Sequence, residues 1–577
     1  MKTAVKLIAL AVMLLASGCA NIPAEMQPVV LSGERPAQAV QTPQEPEKGL
    51  DALTVVRDFI KASALTASGN ASPTASVYLD EETRKSWAPV KGLTVIEDTF
   101  GTVYAPEPEQ TADPNEKVVL VRGFMVGTLG QDSAFIPAVP ASGDYILPVH
   151  VRLQADNQWR ITGPLSNNLV ITERDFSANY FKVAVNFFSQ DSGVFVPDLR
   201  YVFAKPQSGL PNRVMDLVVD GPSEALKGAV INLLGPDARL EQNVKGVDDG
   251  SLVVPLTGLG DPPIEKRRLI VAQIVLSLQN VTTSRIKVLS DGKPILPDKD
   301  AWRVNDLASY PVGAPPELNG MYTADGGIFS LFDGRPLQGN AYHDVVSAAQ
   351  SLDGKRLATV EKLSGDRMVL RIGGLDHQEE VVSAPQGEFL TRPTWRAATG
   401  GAEVWTAVDG TTVLRAVLTG DGKWKAQGVN ATDLVDLGKI TALRLSRDGA
   451  RVAAVVADKL MVAAVVRTPE GVRLTAPRSL RNADLTNVTD VDWASQDTLV
   501  AVTSSTSQPV VKVPVDGRRI DGFNSSNLTA PVRGVTASPN KPTIVADSNG
   551  LWVASELGEV WRPHARTAKD ARPFYPG

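Results

Sequence analysis

The chain has 577 residues, 43% apolar and 21% charged, with 58 Lys+Arg against 64 Asp+Glu for a net charge of −6. That length implies about three to four domains with real cores, and that balance excludes general electrostatic attraction to nucleic acid or anionic lipid. A single cysteine, Cys19, excludes an internal disulfide and a thiolate zinc site, and four widely spaced histidines argue against a histidine-rich metal centre.

Lys2 and Lys6 precede an apolar run, Leu7 to Leu15, too short to span a bilayer and suited to a secretory signal. Ala16-Ser17-Gly18-Cys19 follows and resembles the lipobox of bacterial lipoproteins, although Leu15 stands one place further from Cys19 than the usual leucine. The resemblance implies a signal peptide over 1–18, cleavage between Gly18 and Cys19, and diacylglycerol and N-acyl lipid on Cys19. Two acyl signals anchor stably, at about 0.8 kcal/mol per buried methylene. The lipidated cysteine and a proline-rich tether fill 19–49; Pro23, Pro28, Pro36, Pro43 and Pro46 lie among polar residues with too little apolar surface to fold. As a coil the tether would span roughly 30 Å, and as polyproline II about 90 Å.

Residues 50–165 read as a small α+β domain. Leu53, Val56, Phe59, Ile60 and Ala64 keep helical spacing after Asp51, a candidate N-cap. A second helix is predicted over 75–87, then antiparallel strands over 93–97, 118–128, 145–153 and 159–161. His150 falls on the polar side of an alternating strand. Residues 190–310 form a second α+β region, with helical segments over 211–219 and 231–234 broken at Gly221-Pro222. It continues with a strand over 251–256, an apolar-faced helix over 266–279 laid on a sheet, and a strand over 284–289.

Residues 317–577 contain a repeat. Ser351-Leu352-Asp353-Gly354 is echoed by Ser446-Arg447-Asp448-Gly449, and equivalent points at Ser351, Arg396, Ser446, Ser495 and Ser538 are 45, 50, 49 and 43 residues apart. Each unit offers three apolar strands around Gly/Asp turns. That period predicts a β-propeller of five to seven blades, six favoured, because a small sheet buries both faces only by stacking in a ring. The pair over 321–323 and 327–332 would close the ring with C-terminal strands.

In this order the features resemble the LpqB family of actinobacterial lipoproteins. They are the lipobox and tether, Phe59-Ile60-Lys61-Ala62, Trp159-Arg160-Ile161, Val196-Pro197-Asp198-Leu199-Arg200-Tyr201, a GerMN-like segment with Val253-Val254-Pro255-Leu256 and Val288-Leu289-Ser290-Asp291-Gly292, and the propeller. The resemblance implies a lipid-anchored protein on the extracytoplasmic face of the cell membrane. Its implied partner is the extracytoplasmic domain of the MtrB sensor histidine kinase of a two-component system (MtrA/MtrB) bearing on envelope homeostasis and division. A binder of cell-wall glycan or muropeptide is the alternative.

Catalytic motifs are scarce, and the expectation is a protein without enzymatic activity, metal or cofactor beyond the lipid. Ser284-Arg285-Ile286-Lys287 matches the Ser-x-x-Lys of penicillin-recognising enzymes, but on a strand these side chains point to opposite faces. Polar residues opening the inner propeller strands are candidates for a rim binding site: Asp344, Arg392, Asp490 and Arg533, with His343 and Asp492 beside them. Their mixture of arginine and aspartate suits hydrogen bonding to a peptide better than divalent-metal ligation.

Overall fold

The computed structural model describes residues 45–64, 73–88, 92–139, 144–165, 169–307, 317–337, 344–375, 380–396, 402–481, 485–555, 560–564 and 569–577. The signal segment, Gly18, Cys19 and His343 lie outside them.

Helix α1, Ala52–Ser63, starts where the Asp51 carboxylate accepts a hydrogen bond from the Thr54 N–H at 2.8 Å. Its Ala52, Val55, Val56, Phe59 and Ile60 face is buried. The single helix predicted over 75–87 is two, α2 (Pro73–Ser76) and α3 (Glu81–Ser86). Leu79 pairs with Ile161 of the sheet, which interrupts the helix, and Asp80 restarts it as N-cap. Strands β1 (Leu93–Ile96), β2 (Gly101–Tyr104), β3 (Glu116–Leu129), β4 (Phe135–Pro137), β5 (Asp144–Leu153), β6 (Trp159–Thr162) and β7 (Leu169–Thr172) form one sheet in the order β6-β5-β3-β1-β7, with β2 and β4 also on β3. The expected antiparallel sheet has one parallel pair, β1 with β7. Both strands are buried along their whole length, as continuous apolar runs in parallel pairs are.

Helix α4 (Glu173–Asn179) leads into a hairpin of two ten-residue strands, β8 (Tyr180–Ser189) and β9 (Val194–Phe203). Helix α5 (Leu210–Asp220) ends at Gly221, whose φ of +95° favours glycine. Strands β10 (Arg239–Leu240), β11 (Lys245–Gly246) and β12 (Leu252–Thr257), helix α6 (Ile264–Leu278) and strands β13 (Ile286–Ser290) and β14 (Lys293–Pro294) complete the middle region, with β12 and β13 parallel. Residues 231–234 are not helical as predicted: Ile231 pairs with Phe188 of β8, and the Leu233 N–H donates to the Gln273 side chain on α6. Helix α6 packs on α5 and on β8.

Beyond residue 317 the described residues make six antiparallel sheets, five of four strands and one of three. Their innermost strands are Val345–Gln350, Thr394–Arg396, Ile440–Leu445, Val488–Trp493, Gly534–Thr536 and Arg572–Phe574. Each packs against the next, and the last returns to the first. The three-stranded sheet is closed as expected: Met321–Ala324 pairs with Gly327–Ser330 on one side and with Arg572–Phe574 on the other. The repeated Asp-Gly pairs are turns. In Ser446-Arg447-Asp448-Gly449 the Ser446 hydroxyl donates to Asp448 at 2.6 Å, the same carboxylate accepts from the Ala450 N–H at 3.0 Å, and Gly449 takes a φ of +72°. Trp395, Trp405 and Trp493 are core.

The β8–β9 hairpin ties the three parts together. Its Tyr201 lies in the core of the N-terminal sheet, Val183, Val185 and Phe187 in the core beneath α6, and Leu199 in a core shared with Ala453, Leu460 and Trp493 of the propeller. Polar contacts reinforce this. The Ser192 hydroxyl donates to the Asp448 carbonyl at 2.6 Å, Arg451 to the Pro197 carbonyl at 2.6 Å, Gln496 to the Phe195 carbonyl at 2.7 Å and the Tyr201 hydroxyl to Asp516 at 2.7 Å.

Candidate functional site

A cavity of about 250 Å³ opens at the centre of the propeller. It is lined from the opening ends of all six innermost strands: Ser347, Arg392, Thr441 with Arg444, Thr489 with Asp490, Arg533 and Arg572. A ring of strands brings together residues as distant in sequence as Ser347 and Arg572, 225 positions apart, because each inner strand starts at the same end of the channel.

The floor is an ion network. Arg392 donates to Asp492 at 3.0 Å and to the carbonyls of Val535 and Pro573 at 3.0 and 3.1 Å. Asp492 also accepts from the Thr536 hydroxyl at 3.0 Å and the Ala537 N–H at 3.2 Å. Arg444 donates to Asp490 at 3.2 Å, and the second Asp490 oxygen accepts from the Val535 N–H at 3.2 Å. Burial opposes ionisation of Asp492, but the guanidiniums of Arg392, Arg447 and Arg444 outweigh it and hold this carboxyl below its usual range. Burial pushes Arg444 down to about 10, with Arg392 and Arg572 adding repulsion, so it stays charged at neutral pH.

Beneath this floor the channel is plugged. Arg447 donates to the carbonyls of Trp493 and Ala537, each at 2.8 Å, and to Pro576 at 3.5 Å. The Tyr575 N–H donates to the Thr536 hydroxyl at 2.8 Å and the Gly577 N–H to the Gln350 carbonyl at 2.9 Å. The cavity is therefore a cup and not a through-channel.

Of the four rim candidates, Arg392, Asp490 and Arg533 line the cup. Asp344 does not: it stands exposed at a φ of +59°, just ahead of its inner strand. Asp492 lies in the floor. Arg444 and Arg572 were not anticipated, although an arginine within the apolar run Ile440–Leu445 is a legible signal, since an inner strand holds a charge only where it faces the channel. Elsewhere, Lys287 is held by Asp249 at 2.6 Å, and the ion pair raises its pKa, as expected of a strand lysine and not of a catalytic base. Among the described residues no three His, Cys, Asp or Glu side chains converge as metal ligands, and no helix is long and apolar enough to cross a membrane.

Comparison with known proteins gives three successive matches. Residues 45–177 match the N-terminal domain of lipoprotein LpqB, residues 184–296 a domain described as sporulation and spore germination, and residues 332–576 the lipoprotein LpqB beta-propeller domain. Lipoprotein LpqB of Rhodococcus opacus is 29% identical, covering 94% of this chain and 92% of its own length. Lipoprotein LpqB of Mycobacterium tuberculosis is 27% identical, with 93% of each chain covered. Among solved structures, the tricorn protease overlaps 44% of this chain and 26% of its own, at 11% identity and a TM-score of 0.33, too slight a likeness to bear on activity.

Proposed function

Because the chain belongs to the LpqB lipoprotein family, we propose that it is a lipid-anchored accessory protein that binds the extracytoplasmic domain of a two-component sensor histidine kinase of the MtrA/MtrB kind and shifts its signalling state. Lipid on Cys19 would hold it at the extracytoplasmic face of the cell membrane, with 19–49 as its tether. The observation that carries the reading is the β8–β9 hairpin, whose side chains enter the cores of the tether-bearing domain, the middle domain and the propeller. Such a body fixes the propeller relative to the domain next to the tether, and membrane confinement raises its effective concentration near membrane proteins. Moving the kinase between states requires tighter binding to one of them. The glycan alternative would call for exposed aromatic platforms; all nine tryptophans are buried or half-buried, and among the described residues the exposed aromatic side chains are Tyr104, Phe124, Phe332 and Phe389.

The test places the full chain and the intact kinase in one proteoliposome and follows autophosphorylation as the chain is titrated. A saturable change in rate, lost with Cys19→Ala at low surface density, supports the proposal. An unchanged rate, together with co-sedimentation of the chain with purified wall material, would move the glycan reading to first place.

A further inference from the structure

The cup is mismatched in charge: Arg392, Arg444, Arg533 and Arg572 line it against the single carboxylate of Asp490. Arg392 is matched from below by Asp492 and Arg444 by Asp490. Arg533 reaches Asp570, but both side chains are more than half exposed, so solvent screens the pair. Arg572 is exposed and pairs with no carboxylate among the described residues. Two guanidiniums without a buried carboxylate partner, both lining one open cavity, mark a place for an anionic acceptor. Val346, Met368, Phe389 and Leu390 give the wall an apolar part, beside Thr391, Thr441 and Thr489.

We infer that the propeller cup binds a carboxylate carried on a short aliphatic stem, as presented by an acidic side chain of a peptide or by a small free dicarboxylate. Arg533 and Arg572 offer the forked donors that a carboxylate accepts, and the apolar part of the wall takes the methylenes. A cavity of about 250 Å³ has room for one such group. The plug below means that the group enters and leaves by the mouth. None of this depends on which protein the propeller meets.

The full chain in detergent, titrated calorimetrically with glutarate at fixed ionic strength, is expected to show saturable one-site binding. Arg572→Gln and Arg533→Gln each weaken it roughly tenfold. Both side chains are exposed, and an unchanged melting midpoint verifies that the variants fold. A capped Gly-Glu-Gly peptide binding as tightly as glutarate assigns the ligand to a peptide side chain; binding of glutarate alone assigns it to a free dicarboxylate. Equal affinity for inorganic phosphate, no saturation up to about 50 mM glutarate, or indifference to both substitutions overturns the inference.

Discussion

A carboxylate without solvent must be matched by fixed donors, and Asp198 on β9 is matched on both oxygens. One oxygen accepts from Arg200 at 2.6 Å and the Ser223 N–H at 2.8 Å, the other from the Ser223 hydroxyl at 2.9 Å. Removing one partner of such a buried pair leaves an uncompensated charge, so Asp198→Ala should cost about 3–5 kcal/mol in urea unfolding. Glu403 is similar: Arg396 and Arg467 donate to it at 3.0 and 3.1 Å and the Trp405 indole at 2.7 Å. Burial raises the pKa of Asp198, Glu403 and Asp492, and neighbouring guanidiniums lower it further than burial lifts it. Carboxyls depressed in the fold stabilise it above their unfolded pKa and lose that contribution as pH falls through the folded value. The urea midpoint should thus stay level down to about pH 5 and fall below about pH 4. A midpoint unchanged at pH 3 would show that these carboxylates contribute nothing to stability.

Among elements, the closing strand is the most exposed to test. Phe574 is 1% exposed and packs with Ile328, Val345 and Leu357. Truncating it to alanine opens a cavity in the sheet that completes the ring, and Phe574→Ala should destabilise the chain by about 3–5 kcal/mol, read as a lowered unfolding midpoint. The inner three strands of the five repeat units were legible because they are apolar runs between turns rich in Gly, Asp, Asn and Ser. The fourth, outer strands were not: Trp424–Val429 mixes half-buried and exposed positions, and Asp521–Gly522 is two residues long. An edge strand facing water has no reason to alternate strictly. The helix expected over 231–234 failed for the opposite reason, since backbone pairing with Phe188 overrode local propensity.

For the molecule as a whole, the hairpin decides how the parts move. Its ten β9 residues are buried except Val194, so the strand carries no alternating pattern by which to announce itself, and although it falls within the 190–310 region no strand is predicted over it. The cup was half legible: three of its residues follow from the repeat, whereas Arg572 lies outside any repeat unit and joins only through ring closure. If the hairpin fastens all three parts, its amides should resist hydrogen exchange as strongly as those of Val452–Val456 in the propeller. Exchange at the rate of exposed loops would mean that the parts separate readily. Ring closure also bears on biogenesis. The sheet begun by Met321–Ala324 lacks its innermost strand until Arg572–Phe574 arrives. If the chain crosses the membrane from its N-terminus, and is anchored at Cys19 as proposed, residue 19 reaches the bilayer surface before residue 572 emerges. The propeller then waits as an open arc at the bilayer surface, its unpaired inner edge a template for misassembly, and folding quality becomes a matter for whatever chaperones patrol that surface.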